Sequence, residues 1–331
     1  MHEFELIKKY FSKLSKKSNG SLNLNDDVFF DKSNNIVVSV DTYNEGKHFL
    51  NFKNPKLVIR KVIRSSISDL ICKGVKPKYY FLSGSGNRKT FTKNNLSKIS
   101  KSLKAEQKKY NIILGGGDTV FSNKLSFTVT SIGFAKKIVY RNKSNILDDI
   151  YVTGNLGDSF VGLLVLKNKI KINKKLAKYF INQYYNPDIK YSLVNYLNKF
   201  ATSSIDLSDG LISDLEKLTN NQDNTYKLFL NKIPISNNLK LVISSKNLLK
   251  NNFISKGDDY QILFTANKRH RNFIKKVSLL KKIKITRIGK ILNSKQKSSI
   301  IDRNDHQIKI NSKGYFHTFN QVIYCLLSFF L

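Results

Sequence analysis

The amino-acid sequence predicts a mixed α/β (α+β) protein built from two domains. The chain has 331 residues, which is long for one core and enough for two domains of about 150 residues each. Apolar residues recur in helical and strand-like patterns that alternate along the chain. Hydrophobic residues make up 40% of the sequence and charged residues are dispersed among them, which argues against global disorder.

The first domain is predicted to open with an amphipathic helix over residues 3–16, where apolar side chains recur at helical spacing. A strand is predicted over residues 36–41. Its period of two places Ser39 and Asp41 on the same face as Val37. Polar groups at the end of a β-branched strand are unusual for pure packing, so this face is a candidate functional surface.

A second helix is predicted to begin at Asn54, a favoured N-cap residue, with Pro55 at its first helical position and Gly74 at its end. The other predicted elements of the first domain are strands over 79–83, 111–114 and 125–134 and a helix over 92–109. The domain is predicted to end near residue 137.

The second domain is predicted to start at residue 138 and to contain strands over 150–153, 203–207 and 260–265, with helices between them. The apolar run 322–331 is predicted to form a final helix or strand docked on this domain, because a bilayer span needs roughly 20 residues. The N-terminus lacks the apolar core of a signal peptide. A cytoplasmic protein without membrane association is therefore predicted.

The net charge of +35 raises the hypothesis of a nucleic-acid-binding protein. The sequence contains 58 Lys and Arg residues but only 23 Asp and Glu residues. Nearly all of this charge comes from scattered Lys pairs, whereas Arg is the favoured residue for bidentate contacts with phosphate and guanine. We therefore prefer a compositional drift toward Lys over the whole surface. The two cysteines, Cys72 and Cys325, lack the spacing of a zinc site or a disulfide framework.

Carboxylates at the ends of predicted elements are the strongest functional signal. Acidic residues are a minority in this chain, yet a set of them stands beside Gly and Ser at element junctions. Its members are Asp26, Asp27, Asp41, Asp69, Asp118, Asp206 and Asp209. If these side chains converged on one cleft, they would repel each other unless cations bound there. Mg²⁺ prefers such oxygen ligands and could hold a nucleotide triphosphate in that cleft.

Two of these junctions also offer glycine and backbone N–H groups. Gly115 to Gly117 precede Asp118 after a buried strand, and glycine lets the backbone approach a ligand closely. The segment from Asp206 to Gly210 ends a strand and starts a helix, which offers free N–H groups and a hydroxyl to a phosphate. The common nucleotide motif GxxxxGKS/T is missing, and no GxGxxG opens a helix after a strand. A kinase built on this chain must use another ATP-binding fold.

These motifs, in their order, resemble the successive signatures of the thiamine-monophosphate kinase family, which belongs to the superfamily of aminoimidazole-ribotide synthetase. The signatures are Asn25-Asp26-Asp27, Ser39 to Thr42, Gly46 to Phe49, Ser68-Asp69-Leu70, Gly116 to Thr119, Tyr151 to Gly154, Ile205 to Leu215 and Gly257 to Tyr260. The resemblance covers about residues 2–320, and the stretch IDLSDGLISDL is close to diagnostic.

The resemblance implies a two-domain architecture like that of aminoimidazole-ribotide synthetase. The N-terminal domain, residues 1–137, would bind ATP and Mg²⁺ and dimerise through its sheet. The C-terminal α/β domain, residues 138–331, would complete the cleft. The implied reaction is Mg²⁺-dependent, in-line transfer of the γ-phosphate of ATP to thiamine monophosphate, which gives thiamine diphosphate and ADP. A homodimer that binds several Mg²⁺ ions, with neither membrane nor nucleic acid as a partner, is expected.

By match to the family pattern, the resemblance also implies the site residues. Those at metal positions are Asp27, Ser39, Val40, Asp41, Asp69, Asp118, Asp206 and Asp209. Those at ATP positions are Tyr110, Gly117, Asp118, Arg141 and Ser208, and those at substrate positions are His48, Asp258 and Tyr315. Asp41 and Asp209 are the expected catalytic residues.

Two of these residues depart from the family pattern. Val40 stands where Thr is usual, so a metal contact there would use only backbone atoms, and Asp258 stands where Glu is usual. Two alternatives stay open. One is another ATP-dependent synthetase of the superfamily, although a selenophosphate synthetase is disfavoured because no Cys precedes Cys72. The other is a basic nucleic-acid-binding protein without catalysis.

Overall fold

Two six-stranded β-sheets form the framework of this computed structural model, which describes residues 3–309 and 314–315. The strands are β1 (Phe29–Asp31), β2 (Ile36–Asn44), β3 (Pro77–Gly86), β4 (Ile113–Gly116), β5 (Thr119–Phe121), β6 (Ser126–Phe134), β7 (Asp149–Thr153), β8 (Ala201–Asp206), β9 (Asn224–Phe229), β10 (Ile262–Ala266), β11 (Ile285–Asn293) and β12 (Ser299–Ile301). The helices are α1 (Glu3–Leu6), α2 (Pro55–Cys72), α3 (Lys93–Tyr110), α4 (Asp158–Leu166), α5 (Lys174–Tyr185), α6 (Val194–Leu197), α7 (Leu211–Thr219), α8 (Asn237–Ser245), α9 (Asn251–Ile254) and α10 (Arg271–Lys281). The predicted mixed α/β class is confirmed.

The first sheet has the strand order β1-β2-β6-β3-β4, and β5 pairs with β3. Strand β2 alternates as its sequence predicts, so Val37 and Ser39 are buried on one face while Val40 is exposed on the other. Asp41 lies on the inner face, opposite Val129 of β6. The pairing of β2 with β6 therefore points Asp41 toward the helix layer.

Helix α2 covers the inner face of this sheet. The side chain of Asn54 caps it by accepting the N–H of Leu57 at 3.4 Å, and Pro55 occupies the first helical position, as predicted. The hydroxyls of Ser66 and Ser131 lie 2.9 Å apart, so small polar side chains let the helix approach β6 closely. The helix therefore carries Asp69 along the inner face of the sheet.

The second sheet has the strand order β12-β9-β11-β7-β10-β8, with all neighbours antiparallel except β12 and β9. Strands β7 and β10 are buried throughout. The last turn of α2 contacts β8, because the hydroxyl of Ser204 donates to Cys72 O at 2.5 Å and Lys73 Nζ donates to Ser204 O at 2.8 Å. The end of α2 therefore joins the two sheets at the point where the site forms.

The prediction of one amphipathic helix over residues 3–16 is wrong beyond its first turns. Helix α1 is followed by a π-helical turn over Ile7–Phe11 and then by irregular turns. Leu14 is 79% exposed and Phe11 is 47% exposed, so this end of the apolar stripe gains little from packing, which is the main source of helix stability. The predicted element 322–331 lies outside the described residues.

The predicted domain boundary near residue 137 stays a prediction, and that residue lies between β6 and β7. Among the helices of the described part of the chain, none combines the length and apolar character that a bilayer crossing requires.

Candidate active site

Three aspartates from separate parts of the chain meet in space. Asp27 precedes β1, Asp69 lies near the end of α2, and Asp206 ends β8. One carboxylate oxygen of each lies within 4.8 Å of the others. Asp206 is buried and the other two are half-buried, so the group lies where the first sheet, α2 and the second sheet come together.

Asp41 lies beside this group, close enough for its carboxylate to raise the pKa of Asp69. Burial raises the pKa of Asp41 to about 6 and that of Asp206 to about 7. Burial, Asp41 and Asp206 together hold the pKa of Asp69 well above its ordinary value. The raised pKa values of these carboxyls indicate that the positive charge near them is too small to stabilise all of them as carboxylates. This donor set fits Mg²⁺, which prefers carboxylate oxygens.

A loop from the second sheet lies against the turn that follows Asp206. The N–H of Asp258 donates to Ser208 O at 2.8 Å, and the N–H of Tyr315 donates to Asp209 O at 2.9 Å. Gly257 has a φ of +76°, and a Cβ there would lie 2.3 Å from Ser208 O, so only glycine permits this approach. Four residues predicted for the nucleotide, the metal and the substrate therefore lie on neighbouring segments.

Asp209 lies on this turn, but its carboxylate is outside the three-aspartate group within the described ranges. It contacts the ammonium of Lys217, which also contacts Asp214 at 2.8 Å. The buried carboxylate of Asp214 accepts the N–H groups of Asp209 and Gly210, each at 3.0 Å. Asp214 therefore holds the turn in shape and leaves Asp209 30% exposed at its side chain.

A chain of contacts connects His48 with Asp258, two predicted substrate residues. The hydroxyl of Tyr184 donates to His48 O at 3.2 Å, and the ammonium of Lys61 lies 3.5 Å from the centroid of the Tyr184 ring. Lys61 also forms an ion pair with Asp258 at 2.9 Å. Nδ1 of His48 accepts the N–H of Asn44 at 2.9 Å, which places the imidazole proton of the neutral form on Nε2.

Arg141 lies at the other side of the carboxylate group. Its backbone N–H donates to Asp26 Oδ2 at 2.9 Å and its Nε donates to Asp27 Oδ2 at 3.0 Å. A second guanidinium nitrogen contacts the other oxygen of Asp27. A cavity of about 910 Å³ opens beside Asp26 and Arg141, lined mainly by polar side chains of the N-terminal segment. The predicted ATP residue Arg141 therefore lies between an open cavity and the carboxylates.

Other predicted residues lie away from this centre or have packing roles. Asp118 is exposed on the turn between β4 and β5, where its carboxylate accepts the N–H of Thr119 at 2.7 Å. A Cβ on Gly117 would lie 1.8 Å from Leu82 O, so this glycine is required by strand β3. The backbone approach predicted for a ligand is thus made to a neighbouring strand.

Two further predicted residues are buried and one is exposed. Tyr110 is 3% exposed and packs against Tyr191 at 5.7 Å between ring centroids, so contact with a nucleotide would require the ring to leave this packing. Ser39 is buried and its hydroxyl donates to Ser66 O at 3.4 Å. The side chain of Val40 is 61% exposed on the outer face of the sheet, and a metal contact through its backbone stays a prediction.

The site also contains buried cations that were not predicted from the sequence. Lys61, Lys73 and Lys217 are each paired with carboxylates in or beside the predicted centre. In a chain with 58 Lys and Arg residues, the presence of a lysine at a given position does not indicate that it is buried or functional. For Lys61, its place on the same helix as Asp69 was an available signal, since an interval of eight residues places both near one helix face.

Comparisons with known proteins agree with this geometry. The family model described as AIR synthase related protein, N-terminal domain, matches residues 25–135. A thiamine-monophosphate kinase from Buchnera aphidicola subsp. Acyrthosiphon pisum is 38% identical over 328 residues, which cover 95% of this chain and 98% of that protein. A thiamine-monophosphate kinase from Haemophilus influenzae is 33% identical over 301 residues, which cover 88% and 89% of the two chains.

A solved structure of AaThiL complexed with AMPPCP and TMP has the same fold. It aligns with a TM-score of 0.82 and 25% sequence identity, and the alignment covers 96% of this chain and 97% of that one. The predicted two-domain fold of the superfamily and the predicted family are both confirmed. On sequence identity over nearly its whole length and on fold, the chain belongs to the thiamine-monophosphate kinase family.

Proposed function

We propose that this chain transfers the γ-phosphate of ATP to thiamine monophosphate in a Mg²⁺-dependent, in-line reaction. The observation that carries the proposal is the convergence of Asp27, Asp69 and Asp206 from both halves of the chain. The names of its relatives support the reaction, and the AaThiL complex with AMPPCP and TMP supports an ATP-like nucleotide and TMP as ligands.

We propose that the predicted site residues serve this reaction as metal, ATP and substrate positions. The proposed metal positions are Asp27, Ser39, Val40, Asp41, Asp69, Asp118, Asp206 and Asp209, with Asp41 and Asp209 as proposed catalytic residues. The proposed ATP positions are Tyr110, Gly117, Asp118, Arg141 and Ser208, and the proposed substrate positions are His48, Asp258 and Tyr315. Bound Mg²⁺ would supply charge neutralisation for the reacting phosphates.

The residues of the chain have mainly to position and neutralise anions. The acceptor is a phosphate with a second pKa of about 6, so it is largely anionic at neutral pH and needs no strong general base. Repulsion between the two phosphates is the main barrier. Arg141 holds a planar guanidinium against Asp27 beside the cavity, and Lys61 offers a buried ammonium beside Asp258. His48 is the proposed contact for the substrate on the first-domain side of the site.

We also propose a homodimer formed through the first sheet. Its outer face carries apolar side chains across four strands, in a row made by Phe29, Val38, Ile132 and Tyr79. Phe29 is 40% exposed and Tyr79 is 36% exposed, while helix α2 covers only the opposite face. An exposed apolar face of this kind favours burial against a second copy. The two domains, 1–137 and 138–331, and a cytoplasmic location stay predictions.

The activity is tested by incubating the full chain with ATP, Mg²⁺ and thiamine monophosphate and measuring thiamine diphosphate. Free thiamine serves as the control acceptor and should give no product. Asp41→Asn and Asp209→Asn should nearly abolish turnover while the protein stays folded, since each replaces the carboxylate of a proposed metal ligand with a neutral amide. Asp223→Asn, at an exposed position, is the matched control and should keep wild-type turnover.

Two results would contradict the proposal at different levels. A wild-type chain that forms no thiamine diphosphate under these conditions would overturn the assigned reaction. Normal turnover in Asp41→Asn would instead remove the carboxylate cluster from the mechanism and leave the reaction in place.

A further inference from the structure

A buried ammonium group lies inside the carboxylate cluster. Lys73 follows the last residue of α2 and its side chain has no solvent exposure. Its Nζ lies 2.7 Å from Asp26 Oδ1 and 2.8 Å from Asp27 Oδ2, and it donates to Ser204 O at 2.8 Å. An ammonium has three N–H donors, and here each has a partner.

These contacts divide the cluster into two ends with different charge. At the Asp26–Asp27 end, Lys73 and Arg141 supply positive charge, and both oxygens of Asp27 have a cationic donor. At the other end the partners are neutral or acidic. Asp206 Oδ2 accepts the hydroxyl of Ser68 at 2.5 Å, and Asp69 lies among the carboxylates of Asp41 and Asp206.

The position of Lys73 in the fold explains how a charge is tolerated there. Burying an ammonium costs several kcal/mol unless carboxylates and hydrogen bonds compensate it. Lys73 also stands at the C-terminal end of α2, where unpaired carbonyl groups favour a cation. Its backbone carbonyl accepts the N–H of Val139 at 3.0 Å, so the residue is fixed at main chain and side chain. The charge is therefore held in one place.

We propose that the Lys73 ammonium is a resident cation of this centre, in the place that a divalent ion would otherwise fill beside Asp26 and Asp27. It holds the 25–27 loop without metal and leaves divalent ions to the end formed by Asp41, Asp69 and Asp206. One oxygen of Asp27 still faces Asp69 and Asp206, so Asp27 can contribute to both ends. This inference rests on the proposed function, because it concerns the metal ions of that reaction.

The test compares wild type with Lys73→Met, which keeps an unbranched side chain one atom shorter and removes its charge. Bound Mn²⁺ is counted per chain by electron paramagnetic resonance in the presence of AMPPCP, and the melting midpoint is measured with and without Mg²⁺. Without metal, Lys73→Met should melt roughly 5 °C or more below wild type, because two buried carboxylates lose their partner. Mg²⁺ should restore most of that loss, and the variant should bind one more Mn²⁺ than wild type.

Lys61→Met is the matched control, since Lys61 is also a buried ammonium on α2 and pairs with Asp258 at 2.9 Å. It should melt lower than wild type, show no additional recovery with Mg²⁺ and bind the wild-type number of Mn²⁺ ions. Lys73→Arg keeps the positive charge and should also bind the wild-type number.

Equal Mn²⁺ counts for Lys73→Met and wild type, with a melting loss that Mg²⁺ does not restore, would overturn the proposal and leave Lys73 a structural ion-pair partner. If Lys73→Met does not fold without metal, Lys73→Gln is measured in the same way and judged by the same outcomes. Neither readout depends on turnover. A wild-type chain that makes no thiamine diphosphate would therefore contradict the proposed function while the ion count still decides the role of Lys73.

Discussion

Paired charges organise the interior of this protein at the scale of single residues. Lys61 is buried against Asp258, and Lys217 is buried against Asp209 and Asp214. An isolated charge in such places would be costly, whereas removal of one member of a buried pair strands the other. Substitutions at these lysines therefore act on the carboxylates that shape the site as well as on packing.

Lys250 gives a stability effect that can be separated from the active site. Its partial burial, together with nearby Lys240, Lys284 and Arg303, lowers its pKa to about 8. Between about pH 8 and pH 10 the unfolded chain then binds more protons at this residue than the folded chain, so stability should rise with pH. Urea unfolding at several pH values should show a smaller slope for Lys250→Met, by less than about 1.4 kcal/mol per pH unit because solvent screens a partly exposed group.

Lys246→Met provides the comparison, because Lys246 is an exposed lysine just past the end of α8. It should leave the slope of unfolding free energy against pH unchanged. An identical slope for Lys250→Met and wild type would show that Lys250 titrates normally in the folded chain.

The sequence indicated the aspartates of the site but gave no signal for its buried lysines. Asp27, Asp69 and Asp206 could be predicted to converge because each stands beside Gly or Ser or at an element junction in a chain poor in acids. The burial of Lys73 could not be predicted, because it depends on the contact between the end of α2 and β8. That contact is tertiary and leaves no local pattern.

At the scale of secondary-structure elements, local chemistry fixed some boundaries and tertiary contacts fixed others. Helix α2 begins where Asn54 and Pro55 predict, because its cap is made by adjacent residues. The N-terminal helical pattern over 3–16 is not sustained, and Phe11 and Leu14 of its apolar stripe stay exposed. Spacing alone could not distinguish these two cases.

The crossing of the β4–β5 turn over β3 gives a prediction at this scale. Gly117→Ala should lower the free energy of unfolding by about 3 kcal/mol, because the new Cβ would meet the carbonyl of Leu82 and force the strands apart. Gly46→Ala is the control, since Gly46 has a φ of +78° but open space around it. Its cost should be about 1 kcal/mol, from backbone strain alone. Chemical denaturation measures both, and equal stability of Gly117→Ala and wild type would contradict the close approach.

At the scale of the whole molecule, the outer face of the first sheet is the proposed dimer interface. Ile132 lies on the central strand β6, between Val38 and Tyr79 in the apolar row. An ammonium there would have to be buried without a partner in a symmetric interface. Ile132→Lys should therefore convert a dimer into a monomer of 38.0 kDa in sedimentation velocity.

Leu241→Lys is the control for this experiment, because Leu241 is 59% exposed on α8, in the second half of the chain. It should sediment as wild type does. A wild-type chain that is monomeric at all accessible concentrations would remove the sheet-mediated dimer. The sequence could indicate this interface only through its family, since the alternation in β2 and β6 shows which side chains share a face and not what covers it.

The complete burial of Lys61 and Lys73 has a consequence for chemical modification. Most of the positive charge of this protein lies on lysines, and amine-acylating reagents reach only those that contact solvent. Treatment of the folded chain should thus remove much of its surface charge while sparing the ammonium groups of Lys61 on α2 and of Lys73 just after that helix. An acetylated preparation would then show which properties of the carboxylate centre remain when the positive charge of the surface lysines has been removed.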